Sequence, residues 1–186
     1  MTRLRHVLMC FAFLTLGLVV VHAEKHHDPF NQQEIDQIRD AAQEPDARLK
    51  LFVAFTRVRL DVLEKVRSDP KVTDKAQETH DRLQDFLDVY DELNENVDTY
   101  GDRHNDIRKS LKLVIEADNE FQAKLRALKD AAGVPSADAK TYEFLLTDAM
   151  EAVDTSVDDH KQLLTEQEEL AKKKKLTKPD AMPASK

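Results

Sequence analysis

From Thr79 onward, apolar or aromatic side chains return at every third or fourth position: Leu83, Phe86, Tyr90, Leu93, Val97 and Tyr100, then Ile107, Leu111, Val114, Phe121, Leu125 and Leu128. Only Thr79 itself, His104 and Asp118 interrupt the run. A single face with 4-3-4-3 spacing is the seam of a helix of coiled-coil type. A second stripe with the same spacing, Asp74, Glu78, Asp81, Asp85, Asp88, Glu92 and Glu95, predicts a row of carboxylates on another face.

Residues 73–132 could form one helix, a rod of roughly 90 Å at 1.5 Å per residue, or two helices folded back near Gly101. Between Asn94 and Asp106 the chain collects poor helix formers, including Asn94, Asn96, Thr99, Gly101 and Asn105. On this reading Gly101 ends one helix and Asp102 caps the next. The broken form is the expected one, although the seam keeps its phase through Gly101, so the continuous rod in a three-helix, elongated arrangement stands as the alternative.

The rest of the chain carries the same period. Residues 31–43 predict a short amphipathic helix with Ile35 and Ile38 on one side, ended by Glu44-Pro45. Residues 46–67 follow as the most apolar segment, with Leu49, Leu51, Phe52, Val53, Ala54, Phe55, Val58, Leu60, Val62, Leu63 and Val66, and are expected to form the most buried helix. Ser68-Asp69-Pro70 closes it, and Thr73 or Asp74 opens the long stretch. Gly133-Val134-Pro135-Ser136 reads as a turn, after which a last helix runs from about Ala137 to Ala171. The fold class is therefore all-α: an antiparallel bundle of four main helices plus a short N-terminal helix, spanning residues 31–171.

The two ends change the picture. Arg3 and Arg5 precede an apolar run over Val7–Val21, and Val21-His22-Ala23 presents small residues where a signal peptidase reads. Residues 1–23 are expected to be a cleaved signal peptide, the run being shorter than the roughly 20 residues a membrane span needs. Cleavage would remove Cys10, the chain's single cysteine, so no disulfide would support the mature fold. Residues 24–30 read as a flexible leader and residues 172–186, with six Lys against one Asp, as a disordered Lys-rich tail. The expected destination is the periplasm or the extracellular medium.

Charge is distributed unevenly by helix. Residues 46–67 carry six basic and three acidic side chains and residues 102–132 seven and six, whereas residues 73–100 carry two and nine and residues 138–171 two and ten. Walking round a bundle in chain order would put the two acidic helices on a diagonal, with Arg57, Arg59, Lys65 and Arg67 as partners for the acidic stripe. An acidic body disfavours nucleic acid as a partner. The expected partners are another protein or a second copy of this chain, with weak contact between the Lys-rich tail and anionic surfaces.

Catalytic chemistry leaves little trace. There is no Gly-rich phosphate loop, nucleophile elbow or calcium-loop spacing, and His80, His104 and His160 have no carboxylate or second His at ligand spacing on their own helices. His104 and Asp118, two heptads apart on the seam, read as residues at its exposed edge rather than a buried polar pair. No catalytic residue and no bound cofactor is expected, and the function is expected to be non-enzymatic, exercised through the surface as an interaction, scaffold or chaperone-like role. Convergence of His104, Asp118 and further polar groups in a cleft would instead signal an enzyme. The alternative from another class is metal handling: cleavage after Ala23 would expose Glu24-Lys25-His26, whose amine, two amides and imidazole form a square-planar nitrogen set for Cu(II) or Ni(II).

Overall fold

The computed structural model describes residues 28–132 and 137–177. Five helices follow one another, α1 (Gln32–Asp40), α2 (Pro45–Ser68), α3 (Lys75–Asp102), α4 (Arg108–Ala132) and α5 (Ala137–Thr177), and no strand occurs among the described residues. The four long helices pack as a bundle whose consecutive members run antiparallel. The expected signal peptide, Glu24, Lys25 and His26, the expected turn at residues 133–136 and the chain from residue 178 lie outside the described residues.

The helix starts follow local chemistry. Asn31 accepts the Glu34 N–H while the Glu34 carboxylate takes the Asn31 N–H, a capping box. Pro45 occupies the first position of α2, where its missing N–H costs no helical bond. The Asp74 carboxylate accepts the Gln77 N–H and opens α3.

The long stretch does break, so the rod is not formed, but Gly101 is not the residue that ends the helix. Arg103 caps α3, and His104 takes the left-handed conformation at φ 55°. The His104 N–H bonds the Gly101 carbonyl at 2.9 Å and the Asn105 N–H bonds the Tyr100 carbonyl at 3.0 Å, which is the Schellman pattern. Asp102 therefore closes α3 instead of capping α4. The small residue at Gly101 serves a different need: a Cβ there would stand 3.3 Å from Leu163 on α5, so the two helices approach closely at this point.

The seam is the core. Every one of its positions is buried except His104, which sits in the break itself. Phe86 and Tyr90 stack at 5.5 Å, and the Phe121 ring meets both edge-on at 5.7 and 5.9 Å, joining α3 to α4 through the centre. α2 is less buried than its composition predicts. Apolar residues run round most of its circumference, more than one packed face can cover, so Ala54 and Val58 are exposed and Leu51, Val62 and Val66 only partly covered.

The order of helices round the bundle differs from the chain order. α3 packs against α2 and α5, and α4 packs against α2 and α5, so the ring reads α2, α3, α5, α4. The α3-to-α4 connection crosses a diagonal, and α3 runs parallel to α5: Gly101 lies against Leu163 and Tyr90 reaches Ser156. The two acidic helices are thus neighbours, not diagonal partners. The expected cations pair elsewhere: Arg57 with Glu120 on α4 at 2.8 Å, Arg59 with Glu34 on α1 at 2.7 Å, and Arg67 with Tyr142 on α5. On α3 it is Arg82 that bridges the stripe, to Asp85 at 2.7 Å and Glu78 at 3.8 Å.

Both ends of the described chain are more ordered than the sequence predicts. Phe30 packs on Phe52 and Phe55, and the Pro29 carbonyl accepts from Arg59, so the end of the expected leader is anchored. α5 continues through Lys172–Lys175 to Thr177, past the expected stop at Ala171. Among the described residues no helix is long and apolar enough to cross a membrane.

Candidate functional site

The buried polar residues converge at one place. Asp118, on the seam of α4, is fully buried; Tyr90 on α3 donates to its Oδ1 at 3.0 Å, and His160 on α5 meets its Oδ2 through Nδ1 at 2.8 Å. Three helices therefore meet through one carboxyl group. Burial first, then the charge of Asp118, pushes the Tyr90 hydroxyl far above the usual tyrosine range, while a hydrogen bond from Ser156 pulls the other way. The phenol stays protonated and acts as donor, which leaves Oδ2 to accept the Nδ1–H of His160. In the neutral tautomer that donates Nδ1–H to Asp118, the Nε2 lone pair is left as an acceptor with no partner among the described residues.

That lone pair has somewhere to point. His160 is only 3% exposed, yet it lines a cleft of about 650 Å³ between the last turn of α3, the loop after it and α5. Gln167 on α5 holds the loop in place: its Oε1 accepts the Ile107 N–H at 3.1 Å and its Nε2 donates to the Asn105 carbonyl at 3.0 Å. Asp98, Asp102, Asp159 and Glu166 line the cleft, with Leu163 and Leu170 supplying apolar surface. Asp106 also lines it, but its carboxylate is engaged by Arg108 through two bonds of 2.7 Å. That clasp, despite a small opposing effect of burial, holds the Asp106 carboxyl below the usual range.

Compared with family models, with curated proteins and with solved structures, the chain matches none. The site therefore rests on its geometry.

Of the residues singled out from sequence, His104 does lie at an exposed edge, but Asp118 does not: it is the buried centre of the network. The two are not brought together, although His104 lines the same cleft as His160. Asp118's true partner is His160, which no spacing on its own helix reveals because the pairing crosses from α4 to α5. A carboxylate at a seam position with an aromatic hydroxyl on the facing seam was the available signal. Among the described residues no three His, Cys, Asp or Glu side chains converge to hold a metal ion. Glu24, Lys25 and His26 lie outside the described residues.

On the outer surface, α3 and α5 together carry eight basic side chains against nineteen acidic ones, and four of the eight are Lys172–Lys175 at the end of α5. Asp91 registers the crowding: partial burial, then the charges of Asp88 and Glu95, raise its carboxyl above the ordinary value. The α2 and α4 side is balanced by cross-helix pairs, Arg57 with Glu120 at 2.8 Å and Lys124 with Asp61 and Glu64 at 2.8 and 3.2 Å.

Proposed function

We propose that this chain is an exported, non-enzymatic binding protein whose working surface is the acidic side formed by α3 and α5, and whose partners are cationic. The observation that carries the reading is the adjacency of those two helices. Chain order would have separated them on a diagonal, which would have diluted the field. Two parallel acidic helices side by side instead concentrate negative potential on one side of the bundle, and such a field raises the local concentration of cations and their association rates. Export is supported by the Arg-flanked apolar run ending in Val21-His22-Ala23.

The test uses a fluorescent octalysine peptide as a cationic probe, with binding followed by anisotropy over a salt series. Neutralising Asp91, Glu95 and Asp158 to their amides should weaken binding about tenfold and flatten the salt dependence, whereas amides at Asp61 and Glu64 on the α2 side should change little. Equal effects from both sets would refute the assignment. Mass spectrometry of the exported chain should find Glu24 as its first residue.

One observation favours a second reading. An imidazole oriented by a buried carboxylate beside a cleft has the form of a general base, and His160 with Asp118 has that form. Among the described residues no side-chain hydroxyl hydrogen-bonds His160, and the acidic side formed by α3 and α5 favours binding as the better-supported use.

A further inference from the structure

The cleft beside His160 differs from the rest of the acidic side in having depth, a floor and a bias toward hydrogen-bond acceptors. α3 ends there, and the carbonyls of a helix C-terminus carry about half a negative charge. A basic residue in the last turn usually offsets this, but the last turn of α3 has none. Asp98 and Asp102 occupy that end instead, and Asp159 and Glu166 face it from α5. Two cations line the cleft as well: Arg108 is spent on Asp106, and Lys174 acts on the same carboxylate.

The floor makes a second, independent demand. His160 is buried with Nδ1 committed to Asp118, and among the described residues its Nε2 makes no hydrogen bond. That nitrogen is not among the sealed, unsatisfied atoms of the interior, which fits a ring edge reaching the cleft wall. With the proton on Nδ1, Nε2 offers an acceptor to whatever enters. Leu163 and Leu170 add an apolar wall, and the volume of about 650 Å³ falls in the range of small-molecule sites.

A ligand for this cleft must donate hydrogen bonds, carry positive charge and present some hydrocarbon. A bare metal ion fits poorly, because the carboxylates are spread along the walls and no three ligating groups converge among the described residues. We infer that the cleft binds a linear organic polyammonium, a diamine or triamine, with one ammonium donating to His160 Nε2, a second held between Asp102 and Glu166, and the methylene chain lying on Leu163 and Leu170. The inference rests on the reading of the α3 and α5 side as a cation-binding surface and assigns a small-molecule class to one place on it.

The experiment is isothermal titration of the full mature chain with 1,4-diaminobutane at physiological salt, with 1,4-butanediol and Mg²⁺ as matched controls. One saturable site is expected for the diamine and none for the diol. Asp102→Asn and Glu166→Gln are surface changes that leave the core intact, and each should weaken diamine binding about tenfold. His160→Gln should weaken it too. Should that variant prove unfolded by circular dichroism, the two surface variants decide alone. Absence of a saturable site, or equal weakening by the distant Asp81→Asn, would overturn the inference. If octalysine still bound while the diamine did not, the cleft assignment would fall and the surface reading would stand; if neither bound, both would fall.

Discussion

Glu34 with Arg59 at the edge of the bundle and Asp118 with His160 at its centre are both ionisable pairs withdrawn from water, but they are completed differently. At the edge both oxygens of the carboxylate are engaged. The Arg59 guanidinium takes both Glu34 oxygens, at 2.8 and 2.7 Å, and the Pro29 carbonyl at 2.7 Å, while Glu34 also accepts the Asn31 N–H at 3.0 Å. That cluster is a clasp, fastening α1 and the preceding residues to α2. At the centre the carboxylate is satisfied by Tyr90 and His160, but the imidazole keeps one nitrogen in reserve beside a cleft. A closed cluster explains itself by what it holds together, whereas an incomplete one beside open space points to something that arrives.

The sharpest way to break this comparison is to remove Asp118. Asp118→Ala leaves the Tyr90 hydroxyl and the His160 Nδ1–H without an acceptor in a dry core, and should cost about 3–5 kcal/mol in urea unfolding. Replacing the whole network by Tyr90→Phe, Asp118→Leu and His160→Leu removes the polar demand altogether. The triple variant should recover most of that loss or exceed the parent, while losing diamine binding. A triple variant no more stable than Asp118→Ala would mean the network is retained for stability, and the contrast with the clasp would disappear.

The clasp should fail more gently and more locally. Arg59→Ala is expected to cost about 1–3 kcal/mol, with amide exchange rising first in α1 and the residues before it. It also carries a pH signature. Burial is the largest influence on the Glu34 carboxyl and acts upward, but the hydrogen bonds from Arg59 and Asn31 and the Arg59 charge together outweigh it, so the folded value lies below the ordinary 4.5. A lowered folded value means a contribution fully present above about pH 4.5 and lost as pH falls through the folded value. Between pH 7 and pH 3 the stability gap between parent and Arg59→Ala should therefore narrow; a constant gap would show that Arg59 acts by packing alone.

How much of this could be read in the sequence follows from which forces are local. The seam from Thr79 to Leu128 is a periodic signal written along a helix, so it located the core, and all of it but His104 is buried. Caps at Asn31 and Asp74 and the proline at position 45 are likewise local. The ring order of the helices is not, because it depends on a loop crossing a diagonal, and with it went the expected partners of Arg57, Arg59 and Arg67. Gly101 and His104 show the same limit at the scale of a turn. Either residue could supply the helix end; the left-handed turn falls at His104, while Gly101 stays helical where Leu163 approaches. The Asp118–His160 pair joins residues on different helices, and no spacing within one helix announces it.

A third buried polar group gives the smallest test and the cleanest control. Thr79 is fully buried at the start of the seam, and its hydroxyl has no hydrogen-bond partner. Unlike the clasp it fastens nothing, and unlike His160 it lines none of the clefts described above. Thr79→Val keeps the shape and removes a hydroxyl whose desolvation is uncompensated, so the variant should gain about 1 kcal/mol, read as a higher urea midpoint at unchanged slope. Diamine binding should be unaffected. A loss of stability would mean that the hydroxyl is satisfied in solution, and that an unpartnered polar atom in this bundle is no guide to function. That outcome would weaken the case built on Nε2 of His160. A gain, with binding intact, would separate a polar atom the fold merely tolerates from one the fold has kept available.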